Sequence, residues 1–192
     1  MFPAPFEYHD PTTIDETLAL LAEHGAEARL LAGGQSLVAA MNLGVAKPGV
    51  VIDLNRVTEL AGISDEDEWL AIGAMTRQAD LARSELVGRA CPLLAEAVRL
   101  VGNARVRARG TLGGSLAHAD PYAELPAVIL ALDGVLTVES PHEPRGIPAQ
   151  EFFVGPLTTV LEPDELLAEV RIRHLPPRSG WAIEEVARRP GD

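Results

Sequence analysis

Apolar positions along the chain switch between two periods. Ile14, Leu18, Leu21 and Ala22 recur at helical spacing, and Thr13 followed by Glu16 reads as a capping box opening that helix. His24-Gly25 reads as its stop. Ala28 to Ala32 and Val50 to Leu54 are short apolar runs of strand type, the second opened by Pro48-Gly49, and Leu37 to Met41 between them reads as helix. Residues 1–8 read as extended, with Pro3 and Pro5. The pattern further on predicts a strand over Trp69 to Ile72 and helices over Thr76 to Leu81 and Leu93 to Val101, with Pro92 in the first turn of the last. Leu125 to Leu132 reads as an apolar helix after Glu124. After the turn Asp133-Gly134, Val135 to Glu139 alternates as a strand, and Ser140 to Pro148 reads as a loop. Leu166 to Ile172 reads as a strand, and Trp181 to Ala187 as the start of another. These elements divide into a small lobe, 1–55, a larger lobe, 56–177, and a segment, 178–192, expected to begin a further domain that the chain lacks.

Composition narrows the chemistry. Apolar residues make up 47% of 192, enough for a real core. Acids outnumber bases 28 to 16, which argues against bulk binding to nucleic acid or an anionic membrane. One cysteine excludes a disulfide framework, and an iron–sulfur cluster or zinc site built from this chain's own thiolates. No apolar run approaches the roughly 18 residues of a membrane span. With no signal-peptide pattern at the start, a soluble, cytoplasmic protein is expected. His118 and Asp120 alone lack the convergent ligands of a metal site, so none is assigned.

Two glycine loops carry the chemistry. Ala32-Gly33-Gly34-Gln35-Ser36 follows a strand and opens a helix, and Thr111-Leu112-Gly113-Gly114-Ser115 stands about eighty residues later. Glycine lets backbone N–H groups face a ligand unobstructed, a helix N-terminus adds partial positive charge, and Ser36, Thr111 and Ser115 add hydroxyls. Two such loops suit a diphosphate. Taken singly, each is equally a tight turn, and neither matches a Rossmann fingerprint, a P-loop or a nucleophile elbow. Arg105, Arg107 and Arg109 alternate just before the second loop, as phosphate-neutralising side chains, as one solvated strand face or as a partner contact.

These segments, together with Val51-Ile-Asp-Leu-Asn55, Arg107 to Pro121, Glu124-Leu-Pro126, Phe152-Phe153-Val-Gly155 and Asp164-Glu-Leu-Leu167, resemble the FAD-binding medium subunits of molybdenum hydroxylases, the carbon monoxide dehydrogenase and xanthine dehydrogenase family. The resemblance implies an α+β fold of two α/β lobes, shared with vanillyl-alcohol oxidase, with FAD between them. It implies that Ala32, Gly33, Gly34, Gln35, Ser36 and Leu37, with Thr111, Gly113, Gly114 and Ser115, hold the pyrophosphate. Glu124 stands where a carboxylate binds the ribose or adenine end, Asp120 is near enough to contribute, and Leu167 matches a position whose backbone meets the isoalloxazine ring. Some relatives carry a lysine near the flavin where Glu184 aligns, and no role is assigned there. The implied activity is electron transfer from iron–sulfur clusters through FAD to an acceptor, as an oxidoreductase subunit partnered by a molybdopterin-binding large subunit and an iron–sulfur small subunit. No side chain is assigned as catalytic. A stand-alone flavoenzyme and a flavin-free assembly protein are the alternatives.

Overall fold

The computed structural model describes residues 2–186. In chain order its elements are β1 (Glu7–His9), α1 (Ile14–His24), β2 (Ala28–Leu31), α2 (Leu37–Asn42), β3 (Val50–Asp53), β4 (Ile63–Glu66), β5 (Trp69–Gly73), α3 (Gln78–Arg83), α4 (Glu85–Ala90), α5 (Pro92–Leu100), α6 (Ala104–Arg109), α7 (Leu112–His118), α8 (Glu124–Ala131), β6 (Val135–Glu139), β7 (Arg145–Pro148), α9 (Ala149–Phe152), β8 (Phe153–Gly155), β9 (Thr158–Thr159) and β10 (Leu166–Arg173).

The strands form a parallel three-stranded sheet, β1-β3-β2, and an antiparallel five-stranded sheet, β4-β5-β10-β6-β7, with β8 and β9 a separate hairpin. In the small sheet the pleat sorts side chains by parity. Val50 and Ile52, beside Glu7 and His9 in register, share a core with Leu18 and Leu21 of α1. Val51, beside Tyr8, lines the opposite face with Leu31, Val38 and Met41.

A larger core joins the five-stranded sheet to α3–α5, α7 and α8, with Leu70, Ile72, Leu81, Leu94, Leu116, Leu125, Ile129 and Val170 all fully buried. The smaller core continues across the junction between the sheets through Leu54, Val57, Leu60, Met75, Leu166 and Ala168. Apolar area removed from water on both sides holds the halves together, at about 25 cal/mol per Å².

Several local expectations change. Thr13 caps α1 by accepting from the Glu16 N–H at 3.1 Å, but the Glu16 carboxylate reaches past it to the Thr12 N–H at 2.7 Å and hydroxyl at 3.0 Å. Ala22 is exposed and Thr17 is buried instead, its hydroxyl donating to the Thr13 carbonyl at 2.9 Å. Arg105, Arg107 and Arg109 lie on helix α6, not on a strand, because Asn103 accepts from the Arg105 and Val106 N–H groups and starts a helical turn. Part of the expected 140–148 loop is β7, paired with β6. Trp181 to Val186 form no strand: nothing in the sheets pairs with them, and Trp181 is 42% exposed. Ala187 lies outside the described residues.

Candidate functional site

The first loop leaves the end of β2 at the junction of the two sheets. Gly34 has φ +75°, a conformation that side chains rarely adopt, and it turns the chain from strand into α2. Gly33 is buried for a different reason. A Cβ there would overlap the Arg109 carbonyl oxygen and stand 2.8 Å from the Gly110 Cα. The second loop therefore rests directly on the first. A Cβ on Gly114 would lie 3.2 Å from the Ala32 Cβ, a second point of approach between them.

The donors of the two loops are used differently. In the second loop the Leu112 N–H donates to Thr76 O at 3.1 Å and the Gly113 N–H to Ala74 O at 2.8 Å. The Gly114 N–H donates to Thr111 Oγ1 at 3.0 Å, and the Ser115 N–H to Thr111 O at 3.3 Å. Thr111 is the N-cap of α7 and only 2% exposed. Its hydroxyl is thus committed to the cap. Gly113 is required by packing, since a Cβ would overlap Ala74. In the first loop, the N–H groups of residues 33–37 donate to no acceptor among the described residues. Ser36 precedes α2 without a side-chain cap, and it and Gln35 are exposed, with Gln35 Nε2 curling back to Gly33 O at 3.3 Å. Unengaged backbone donors next to an exposed hydroxyl have the chemistry to accept an anion. With only six residues in α2 and seven in α7, the donors themselves outweigh any macrodipole.

A polar network, to which the sequence reading assigned no role, fixes the loops to each other. Asn55 Nδ2 donates to Ala32 O at 3.0 Å and to Asp53 Oδ1, and the Asn55 N–H also donates to Asp53 Oδ1 at 2.9 Å. Tyr8 Oη donates to Asp53 Oδ2 at 2.7 Å, which pushes the phenol up to about 12. Arg77 donates to both Asn55 Oδ1 and Arg109 O, so one guanidinium touches both walls. Burial and the nearby Arg109 charge lower its pKa. Gln78, also buried, donates its N–H to Gly110 O at 2.9 Å. Asn55 and Arg77 also line a cleft of about 430 Å³ with Leu54, Thr58, Met75 and Asp80. The only sequence signal for this network was the polar Asp53 and Asn55 ending an apolar strand.

Asp120 and Glu124 lie past the C-terminal end of α7, the helix that the second loop opens. Ala119, with φ +49°, ends α7, and Asp120 Oδ1 accepts from the Tyr122 N–H at 2.9 Å. Glu124 opens α8 half-buried, and burial, with Glu185 and Asp120 nearby, raises its carboxyl pKa. Leu167 is 4% exposed, its side chain in the large core, so only its main chain is left to meet a ligand. The strand register shifts between Leu167 and Glu169. Ala168 O accepts from the Ala74 N–H at 2.8 Å, tying this bulge to the residue that also takes the Gly113 donor.

The fit to a diphosphate-bearing cofactor rests on that open row of donors beside a rigid second wall. Comparisons with known proteins agree. Residues 4–175 match the family described as the FAD binding domain in molybdopterin dehydrogenase. The chain is 43% identical over its whole length to the carbon monoxide dehydrogenase medium chain of Hydrogenophaga pseudoflava and covers 67% of that protein. It is 42% identical to the caffeine dehydrogenase subunit beta of Pseudomonas sp. (strain CBB1), covering 65% of it. Among solved structures, carbon monoxide dehydrogenase from Hydrogenophaga pseudoflava superposes with a TM-score of 0.98 at 44% identity, over the whole of this chain and 67% of that one. Quinoline 2-oxidoreductase from Pseudomonas putida 86 superposes at 0.96 and 36% identity, over the whole of this chain and 66% of that one. The chain thus spans about two thirds of the length of these relatives. With its fold, its paired glycine loops and a family match across nearly its whole length, this chain belongs to the FAD-binding domains of the molybdenum hydroxylases.

Proposed function

We propose that the chain carries one non-covalent FAD as the flavin-bearing part of a multi-subunit molybdenum hydroxylase, passing electrons from iron–sulfur clusters to an acceptor. The observation that carries the reading is the row of N–H donors at residues 33–37 that meet no acceptor among the described residues, walled by the second loop. When bound, FAD supplies the redox chemistry, and the protein supplies binding, orientation and electrostatics.

In this reading residues 1–55 and 56–177 are the two walls of the site. Gly33, Gly34, Gln35, Ser36 and Leu37 donate main-chain N–H groups to the pyrophosphate, and the Ser36 hydroxyl adds another donor. Ala32 offers its carbonyl to Asn55 and holds the loop in place. Thr111, Gly113 and Gly114 act as the packed wall, and Ser115 contributes its hydroxyl. Glu124 accepts from the ribose hydroxyls, Asp120 supports that end, and the Leu167 main chain borders the flavin ring. None of these residues moves a proton in catalysis.

The partners are then a molybdopterin-binding large subunit, where the substrate is oxidised, and an iron–sulfur small subunit. A division of labour supports this: the chain's one cysteine, Cys91, is fully buried, and burial raises its thiol pKa, so it is no cluster ligand. No described helix is long and apolar enough to cross a membrane. A cytoplasmic location is part of the same proposal.

The test is purification with and without the candidate partner chains. The expected result is a yellow protein that releases FAD, one per chain, on denaturation, and that joins large and small subunits into one complex. Covalently retained flavin, or turnover of a substrate by the chain alone, would contradict it.

A further inference from the structure

We propose that Glu7, His9 and His24 form a binding site for one divalent late first-row cation, with Zn²⁺ the best fit. The topology brings them together. Glu7 and His9 are two residues apart on β1, so both point to the α1 side of the small sheet, beside Val50 and Ile52 in register. β1 and β2 run parallel, so α1 between them must run back along the sheet. Its last residue, His24, returns to the end where the strands begin.

The geometry is that of a site open to solvent. A carboxylate oxygen of Glu7 and a ring nitrogen of each histidine all lie within 4.8 Å of one another. His9 Nε2 is 2.9 Å from Glu7 Oε1, and the two imidazole rings lie 5.3 Å apart between centroids, tilted by 34°. His9 Nε2 is buried and has no hydrogen-bond partner of acceptable geometry among the described residues. Donors bound to one Zn²⁺ at about 2.0–2.2 Å stand about 3–3.5 Å apart, so only small side-chain rotations are needed. Two imidazoles, which are borderline nitrogen donors, outweigh the one hard carboxylate and favour zinc, nickel or copper over magnesium or calcium. Glu7 is 61% exposed and His9 26%, which leaves the remaining coordination positions to water.

The site lies at the opposite end of the small sheet from the first glycine loop, which leaves the far end of β2. It bridges an edge strand to the end of α1 and so acts as a clamp on the N-terminal strand. It is separate from the flavin reading, and its test does not depend on that reading.

The experiment is calorimetric titration of Zn²⁺ into chelator-treated protein as purified, with Co²⁺ absorption as a second probe of the ligand set. Wild type is expected to bind one equivalent, with a cobalt visible band and a higher melting temperature in zinc. His24→Gln and His9→Gln should each weaken binding by more than about tenfold, the scale on which even supporting partners of a metal act. Each should also abolish the zinc-dependent rise in melting temperature. Both should keep the wild-type circular dichroism and flavin content, and His142→Gln, in an exposed turn, should bind as wild type does. Absence of binding by wild type would overturn the site and leave only the close approach of Glu7, His9 and His24. Unchanged binding in the His9 and His24 variants would overturn it as well.

Discussion

The two glycine loops look alike as sequence and behave differently as structure. The second spends its N–H groups on Thr76, Ala74 and its own cap residue, while the first leaves residues 33–37 with none of theirs engaged among the described residues. Glycine is required in both, again for different reasons. Gly33 and Gly113 are sites of backbone contact within the protein, whereas Gly34 is a matter of positive φ. A glycine-rich loop is thus a statement about crowding, and only the fate of its donors says whether a ligand is the crowding partner.

The comparison breaks most visibly at Gly33. Gly33→Val must push the Arg109–Gly110 backbone away, and a cost of about 3 kcal/mol, with loss of flavin, is expected. Denaturant midpoints of flavin-free protein check it, and a variant of wild-type stability would show that the loops do not rest on each other. Glu124→Gln follows. FAD should bind about 1–3 kcal/mol more weakly if a charge-assisted hydrogen bond is lost. The flavin-free protein should become less sensitive to pH in the opposite sense to most carboxylates. The Glu124 pKa is raised in the folded state by burial, so the folded form takes up its proton first. Stability from this group is present below the ordinary carboxylate range and falls as pH rises through the raised value. Melting curves of wild type and Glu124→Gln across that window should differ by this slope, and identical slopes would leave Glu124 without a buried cost.

Much of this was legible in the chain and some was not. The apolar runs that became β3, β5 and β10 could be read because each is buried along most of its length, and β6 because its buried and half-buried positions alternate. Of the readings open for Arg105, Arg107 and Arg109 only the strand face fails: arginines at every second position mimic one, and the Asn103 cap that makes α6 a helix is a single residue. Both loops could be found from glycine pairs and a family resemblance, yet their asymmetry could not. It depends on acceptors such as Thr76 and Ala74, more than thirty residues away along the chain. Asn55 and Arg77 were hidden for the same reason, their partners being 22 and 32 residues distant. His24 read as a helix stop, and nothing local ties it to Glu7 and His9.

The smallest expected effects form a matched pair. Thr111→Val removes the cap on Gly114 and should cost about 1 kcal/mol of stability with little change in FAD affinity. Ser36→Ala removes no cap and should leave stability within about 0.5 kcal/mol while weakening FAD by about 1 kcal/mol. Thermal melts and flavin titrations on both variants read the exchange, and the reverse pattern would reverse the roles of the loops.

The most direct measurement is residue-resolved amide hydrogen exchange on flavin-free and flavin-loaded protein. The amides of Gly33 to Leu37 should exchange freely without flavin and become protected when it binds. Those of Leu112 to Ser115 should be protected in both states, because their acceptors are in the protein. Protection that appears at Leu112 to Ser115 only with flavin, while Gly33 to Leu37 stay unchanged, would contradict the account.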